Sequence, residues 1–410
     1  MKLKHDLHAQ YALPTHDDQT QARGIDFLTG YASAPPRRWL ELAAVEDPAA
    51  RLSLLAQARI AYTDRARVGQ QRGKPGGLWH WIESGQAKAF FEDRRDRYLR
   101  PLALAPALPD LASLPACSFA LQFTFTLLKP YLSQDDTDWH ILDNPVKKDK
   151  VFGLPMVAPT GWKGALRAAM TQELASGLNE DEQENGSDFV KRRLWLYRLF
   201  GNEDASIAAF LNRALARHRV GPLPEDADDR QREEWQKRIA AETERAAQEF
   251  DVLLREQGYR RGNVEGFQGR LRFYPTFFTQ TGLEVINPHS RESGAGKHPL
   301  YFECVPIGAQ GTFTLLYVPF DLMGEPADKA HTELANDLTA VAEGIGAMLT
   351  IYGFGAKTSS GFGVTDNQVT DGRLTVRTEA APLPFPFDSL LALSALADAA
   401  AKQLRPGGTQ

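Results

Sequence analysis

Residues 118–130 read SFALQFTFTLLKP. Phe119, Leu121, Phe123, Phe125 and Leu127 alternate with smaller or polar residues, and a period of two puts all five on one side of an extended chain. The stretch predicts a half-buried strand, whose apolar face must be covered by another layer. Strand signals return in GRLRFYPTFF (residues 269–278), LYFECVPI (300–307) and TFTLLYVPF (312–320). Between them the apolar spacing changes to that of helices. One helix is predicted from about Gly161 past Glu173, and another carries Leu334, Leu338, Val341, Ile345 and Leu349 on one face.

Without its insertions, the order is strand, helix, strand, strand, helix, strand. This predicts an α+β fold with a ferredoxin-like (RRM-like) sheet, helices on one face and the other face free. RNA-recognition modules use that arrangement, although a fold alone does not give a function. Working outward, residues 24–100 carry helical spacing in RRWLELAAV and ARLSLLAQARIAY, interrupted by the linker-like GQQRGKPGG. The expected division is a helical N-terminal region over 1–115, a core over 116–380 with a helical insertion at about 175–260, and a C-terminal linker with a short helix over 381–410. In the insertion Trp235, Ile239, Ala246, Phe250 and Leu254 fall near one face among many acidic residues, which reads as a solvated helical surface without chemistry.

Composition narrows the function classes. The 410 residues are 43% hydrophobic with a formal net charge of −5, which disfavours a free-standing, nonspecific nucleic-acid binder but leaves local basic patches open. Cys117 and Cys304 are the only cysteines and form no C-x-x-C pair, so neither a disulfide framework nor a zinc site is expected, and a reducing cytoplasm fits. No stretch reaches the roughly 18 apolar residues of a membrane span. No membrane association is expected.

Two stretches carry the chemistry. The first, FGLPMVAPTGWKGALRAAM (152–170), approaches a helix through Pro155, Pro159 and Gly161, as if the backbone were shaped to hold a ligand at Lys163. The second, YGFGAKTSSGFGV (352–364), has Gly353, Gly355, Gly361 and Gly363, which permit positive φ and close approach of a polymer backbone. Lys357, Thr358, Ser359 and Ser360 supply donors for phosphates. A nucleotide P-loop fails on spacing, because the glycine required five residues before Ala356 is Ile351. A dinucleotide fingerprint fails because these glycines follow a helix and open none. A tight hairpin remains the alternative.

Together these stretches resemble the RAMP superfamily, the proteins that build the RNA-guided effector complexes of type III CRISPR systems. The family's IPGSSLKGALR segment is similar to VAPTGWKGALR (157–167), and its GxGAKTxxGFG loop to GFGAKTSSGFG (353–363). Between them, WLYRLFGNED (195–204) resembles the family's LFG segment and GRLRFYPTFF its later G-x-L-x-F strand. The resemblance runs over about residues 119–364. It implies an RNA-binding role in antiviral defence, with guide RNA (crRNA), target RNA and other RAMP subunits as partners. Lys163, Gly161, Trp162, Arg167 and the Gly353–Gly363 loop would contact RNA. Thr160-Gly161-Trp162 replaces the family's Gly-Ser-Ser, so Trp162 is either a platform for a base or a tryptophan of the core or of a subunit seam.

Two further likenesses point to different members. HILDNPVKKDK (140–150) resembles a loop of the repeated backbone subunits, whose aspartate supports target-RNA cleavage with a divalent metal. Asp143 matches it as the candidate catalytic and metal-binding residue, with Mg²⁺ or another divalent ion as cofactor and Asp135, Asp136, Asp138 and His140 near in sequence. Residues 286–320 resemble a segment of the Cmr-type terminal subunit, which caps the filament and does not cut. That reading makes His289, Arg291 and Lys297 candidates for RNA or subunit contacts. Three functions are therefore expected in order: a guide-RNA-binding subunit, a metal-dependent endoribonuclease subunit, and a structural adaptor without RNA contact.

Overall fold

The computed structural model describes residues 23–24, 27–28, 34–45, 50, 54, 70–71, 74–75, 82, 85–102, 104, 106–135, 144–180, 186–260, 266–287 and 300–403. The Phe-rich stretch is a strand, β1 (Phe119–Thr126), and it lies at the centre of a five-stranded antiparallel sheet. Its neighbours are β7 (Gln310–Tyr317) and β8 (Gln368–Arg377); outside them lie β3 (Leu271–Phe273) and β9 (Pro382–Ser389). Across the sheet the order is β9, β8, β1, β7, β3, and every neighbouring pair is antiparallel.

Register explains the choice of residues. Phe119, Leu121, Phe123 and Phe125 face Tyr317, Leu315, Phe313 and Gly311 across the β1–β7 ladder, and all eight belong to or abut one apolar face. Phe119 stacks on Tyr317 at 4.6 Å and Phe123 on Phe313 at 5.2 Å between ring centroids. Gly311 has no side chain because a Cβ there would come within 2.7 Å of Phe125 and 2.8 Å of Phe278.

That face is covered by α2 (Pro159–Glu180) and α6 (Ala327–Ala347), with α7 (Leu390–Gln403) beside them. All five apolar positions expected on the second helix, Leu334 to Leu349, are buried. Between α2 and β3 stand α3 (Gly186–Phe200), α4 (Ala205–Val220) and α5 (Asp229–Glu256). On α5, Ala246, Phe250 and Leu254 are buried as the spacing predicts, and the Trp235 indole donates to the Gly221 carbonyl at 3.0 Å. Two small ladders complete the core: β2 (Met156–Val157) with β4 (Thr276–Phe277), and a hairpin of β5 (Gly282–Ile286) with β6 (Leu300–Cys304).

Three expectations are corrected. The proline-rich stretch after Pro382 is not a linker: it is β9, paired with β8 from Pro382↔Arg377 to Phe387↔Gly372. Prolines are tolerated there because β9 is an edge, where outward N–H groups have no ladder partner. The second sheet face is not wholly free, since Leu108, Leu111 and Leu114 pack on Ala120, Leu316 and Val318 at one end. Beyond that cover the face is polar, with Gln122 donating to Thr314 Oγ1 at 2.9 Å and Thr124 and Thr312 hydroxyls 3.4 Å apart. In the N-terminal region the described helical elements are a 3₁₀ turn, Arg37–Ala44, and α1 (Gln86–Arg94) continuing as a π turn, Arg95–Leu99; Gln70–Gln71 and Lys74–Pro75 form a minimal antiparallel ladder inside the stretch expected as a linker. Among the described residues no helix is long and apolar enough to cross a membrane.

Candidate nucleic-acid interface

Helix α2 begins at Pro159, whose missing N–H is no loss in a first turn, and the Ala158 carbonyl receives the Gly161 and Trp162 amides at 2.9 and 3.1 Å. Gly161 therefore lies inside the first turn, exposed, and does not set the approach. Trp162 points the other way. It has no exposed surface, packs 4.5 Å from Phe354, 5.0 Å from Phe313 and 5.9 Å from Phe125 between ring centroids, and donates its indole N–H to Thr276 Oγ1 at 3.0 Å. Thr276 passes its own hydroxyl proton to the Thr312 carbonyl at 2.7 Å. The stacking role for Trp162 is thus overturned: the ring is a core hub whose one polar atom is satisfied.

Phe354 belongs to the glycine-rich loop, so the two motifs meet through this aromatic pair. The loop also folds against the exit of β1, with Ala356 N–H donating to the Leu132 carbonyl at 2.7 Å and Gly363 N–H to the Pro130 carbonyl at 2.9 Å. Here glycine is demanded by the protein's own backbone. A Cβ on Gly353, Gly355 or Gly363 would lie 2.4, 2.4 and 2.0 Å from the carbonyl oxygens of Phe362, Leu132 and Phe354, and all three have positive φ. At these three positions the chain's own carbonyls are enough to require glycine. Gly361 differs, with open space around it and φ of +81° closing the 3₁₀ turn Thr358–Ser360. The exposed part of the loop is Gly355, Ala356, Lys357, Ser359, Ser360 and Gly361, with Thr358 half-buried. The Lys357 ammonium rests 5.2 Å over the Phe302 ring.

Lys163, one residue beyond the buried indole, is half-buried. Burial first, then the guanidinium groups of Arg167 and Arg272, pull its ammonium below the ordinary lysine range. Arg167 stands one helical turn further on α2; Arg272 is the outward residue of β3, donating to the Leu271 carbonyl at 2.9 Å and also to that of Gly269. Lys163 and Arg167 thus share one face of α2 at i, i+4, and Arg272 comes from β3, which packs on α2, within electrostatic reach of Lys163. The sequence singled out Lys163 and Arg167 but missed Arg272, whose only signal was its polar position between Leu271 and Phe273.

The other two motifs have structural work. Gly201 ends the LFG segment and Gly269 opens the G-x-L-x-F strand, and a Cβ on Gly269 would come within 2.4 Å of Gly201 N. Their neighbours Arg198 and Arg270 both bond the fully buried Asp337, at 2.5 and 2.8 Å, and Arg270 also reaches Glu333 at 2.7 Å and Asp321 at 2.5 Å. Sequence reasoning assigned no role to these arginines.

Of the acidic loop residues, Asp135 is described. It is buried, receives the Lys148 N–H at 3.2 Å and lies 3.9 Å from Lys147 Nζ, so its carboxylate staples the loop. Asp136, Asp138, His140, Asp143, His289, Arg291 and Lys297 lie outside the described residues.

The RAMP superfamily model matches residues 136–366, more than half of the chain. The chain belongs to the RAMP superfamily. No curated protein matches it. Among solved structures it is similar to a chain of the Type III-B Cmr-beta complex bound to cognate target RNA, at 13% identity over 73% of this chain and 69% of that one, with a TM-score of 0.33. It is also similar to Cmr6 from Pyrococcus furiosus, at 16% identity over 61% of this chain and 98% of that one, with a TM-score of 0.28.

Proposed function

We propose that the chain is the guide-RNA-binding subunit of a type III CRISPR ribonucleoprotein, built on a ferredoxin-like core. Numbered along the chain, the strands β1, β3, β7 and β8 lie in the order 4-1-3-2, which supports that core, with β9 added at one edge. The observation that carries the RNA reading is the convergence of Lys163, Arg167 and Arg272. Burying a lysine beside two guanidinium groups disfavours its charge, a cost that a phosphate entering the cluster reverses. Lys357 and the Ser359 and Ser360 hydroxyls, on the loop tied to α2 through Phe354, offer further phosphate contacts. The net charge of −5 does not oppose this, because affinity for a polyanion depends on local cations.

The test is the nucleic acid that copurifies with the chain. Wild type is expected to carry small RNA, and the triple variant Lys163→Ala, Arg167→Ala, Arg272→Ala to lose most of it. Equal RNA content in the two preparations would remove the cluster from the function. Cleavage of target RNA through Asp143 with a divalent metal is a separate proposal, tested by Asp143→Ala in the assembled complex; cleavage that persists at every site rules it out.

A further inference from the structure

The helical insertion, which reads in the sequence as a solvated surface, contains one helix of a single sign. Helix α4 holds Arg213, Arg217, His218 and Arg219 and no acidic residue, while α5 mixes both signs along its length. Leu211, Leu215 and Ala216 turn toward the core. Phe210, Arg213 and Arg217, spaced i, i+3 and i+7, form a ridge on the opposite side, and all three are exposed. Arg219 is held by Glu249 at 2.7 Å and Glu242 at 3.6 Å; among the described residues Arg213 and Arg217 are in no ion pair. Favourable interaction with the helix dipole accounts for basic residues in a last turn, but Arg213 lies a turn earlier and Phe210 gains nothing from it.

The place of this ridge is as telling as its composition. Helix α4 packs on α2, Leu211 and Leu215 sharing a core with Leu166 and Leu174, and its N-cap Asp204 lies within the electrostatic reach of Arg167, so the ridge belongs to the helix that neighbours the α2 cluster. At 1.5 Å per residue, Arg217 is roughly 20 Å along from that N-cap, the scale of several nucleotides. Cations without partners beside an exposed aromatic ring are what a single strand needs, phosphates on the arginines and a base on the ring. We infer that the Phe210, Arg213 and Arg217 ridge of α4 is a second contact line for single-stranded RNA held at the α2 cluster. This rests on the guide-binding reading above.

The experiment uses the full chain and fluorescein-labelled oligouridines of six and twenty nucleotides, with anisotropy read over a range of salt. For Arg213→Ala with Arg217→Ala, affinity for the longer strand is expected to fall about tenfold and the slope of log K against log salt to become shallower by about 1.4, two phosphate contacts' worth. The six-nucleotide strand, which fits at the first cluster, should bind unchanged. Phe210→Ala should weaken the longer strand by about fivefold or more, and bromouridine RNA should photocrosslink to the peptide containing Phe210. Arg213→Lys with Arg217→Lys should restore the salt slope. If the alanine pair leaves affinity and slope unchanged while Lys163→Ala with Arg167→Ala abolishes binding, the ridge is not a contact line and the guide-binding reading stands. If neither pair matters, both readings fall.

Discussion

Trp162 stands beside Lys163 in the motif and among three phenyl rings in space. The sequence marks it as the departure from the family pattern but leaves platform and core equally open, because the choice depends on Phe313 and Phe354, far along the chain. Its burial makes a definite claim. Trp162→Ala should destabilise the fold by about 3–5 kcal/mol in chemical denaturation, as large core truncations do. A variant that keeps full stability yet loses RNA would instead make the ring a base platform. Lys163 makes a claim about pH. Its ammonium is depressed in the free protein, and a phosphate meeting it would restore the charge, so binding would take up a proton once pH exceeds the depressed value. RNA affinity should therefore fall as pH rises through the depressed value toward the ordinary lysine value of 10.5, and Lys163→Arg should abolish the early part of that fall. An identical pH profile for the arginine variant would show that Lys163 does not meet the RNA.

The elements differ in how well they can be read. β1 and α6 are legible because each buries one side and the period of the apolar residues reports it. β9 is not, since Pro382, Pro384 and Pro386 suppress every strand signal; only the pairing with β8 shows that these alternate positions belong to an edge strand. That alternation has a consequence for the edge. The prolines take the sites whose N–H would point outward, so the free edge lacks donors there for another strand. Pro384→Thr with Pro386→Thr should restore the outward N–H groups and promote self-association, seen as faster-sedimenting species in velocity centrifugation. A monodisperse monomer at the same concentration would show that the prolines do not guard this edge. The same reasoning explains the glycine loop: four glycines are visible in the sequence, but three are needed for contact with the chain's own carbonyls, and nothing local distinguishes those from Gly361.

At the scale of the whole molecule, α3, β3 and α6 are held by charges that sequence patterning does not reveal. Arg198 and Arg270 lie in two motifs about 70 residues apart, and both depend on Asp337 from a third element. Asp337→Ala leaves two buried guanidinium groups short of a partner and should cost about 3–5 kcal/mol, measured as a lowered denaturation midpoint. A cost below about 1 kcal/mol would mean that Glu333 and Asp321 suffice. The same long-range economy governs how the protein is made. β1 is synthesised early, but β7, the partner that covers Phe119 to Phe125 in register, begins at Gln310. At about 5–20 residues per second, the ribosome leaves that row of aromatic side chains without its neighbour for roughly 10–40 s. A nascent chain in this interval carries an unpaired central strand, so its yield in cells should depend on chaperone capacity and translation speed as much as on the stability of the finished fold.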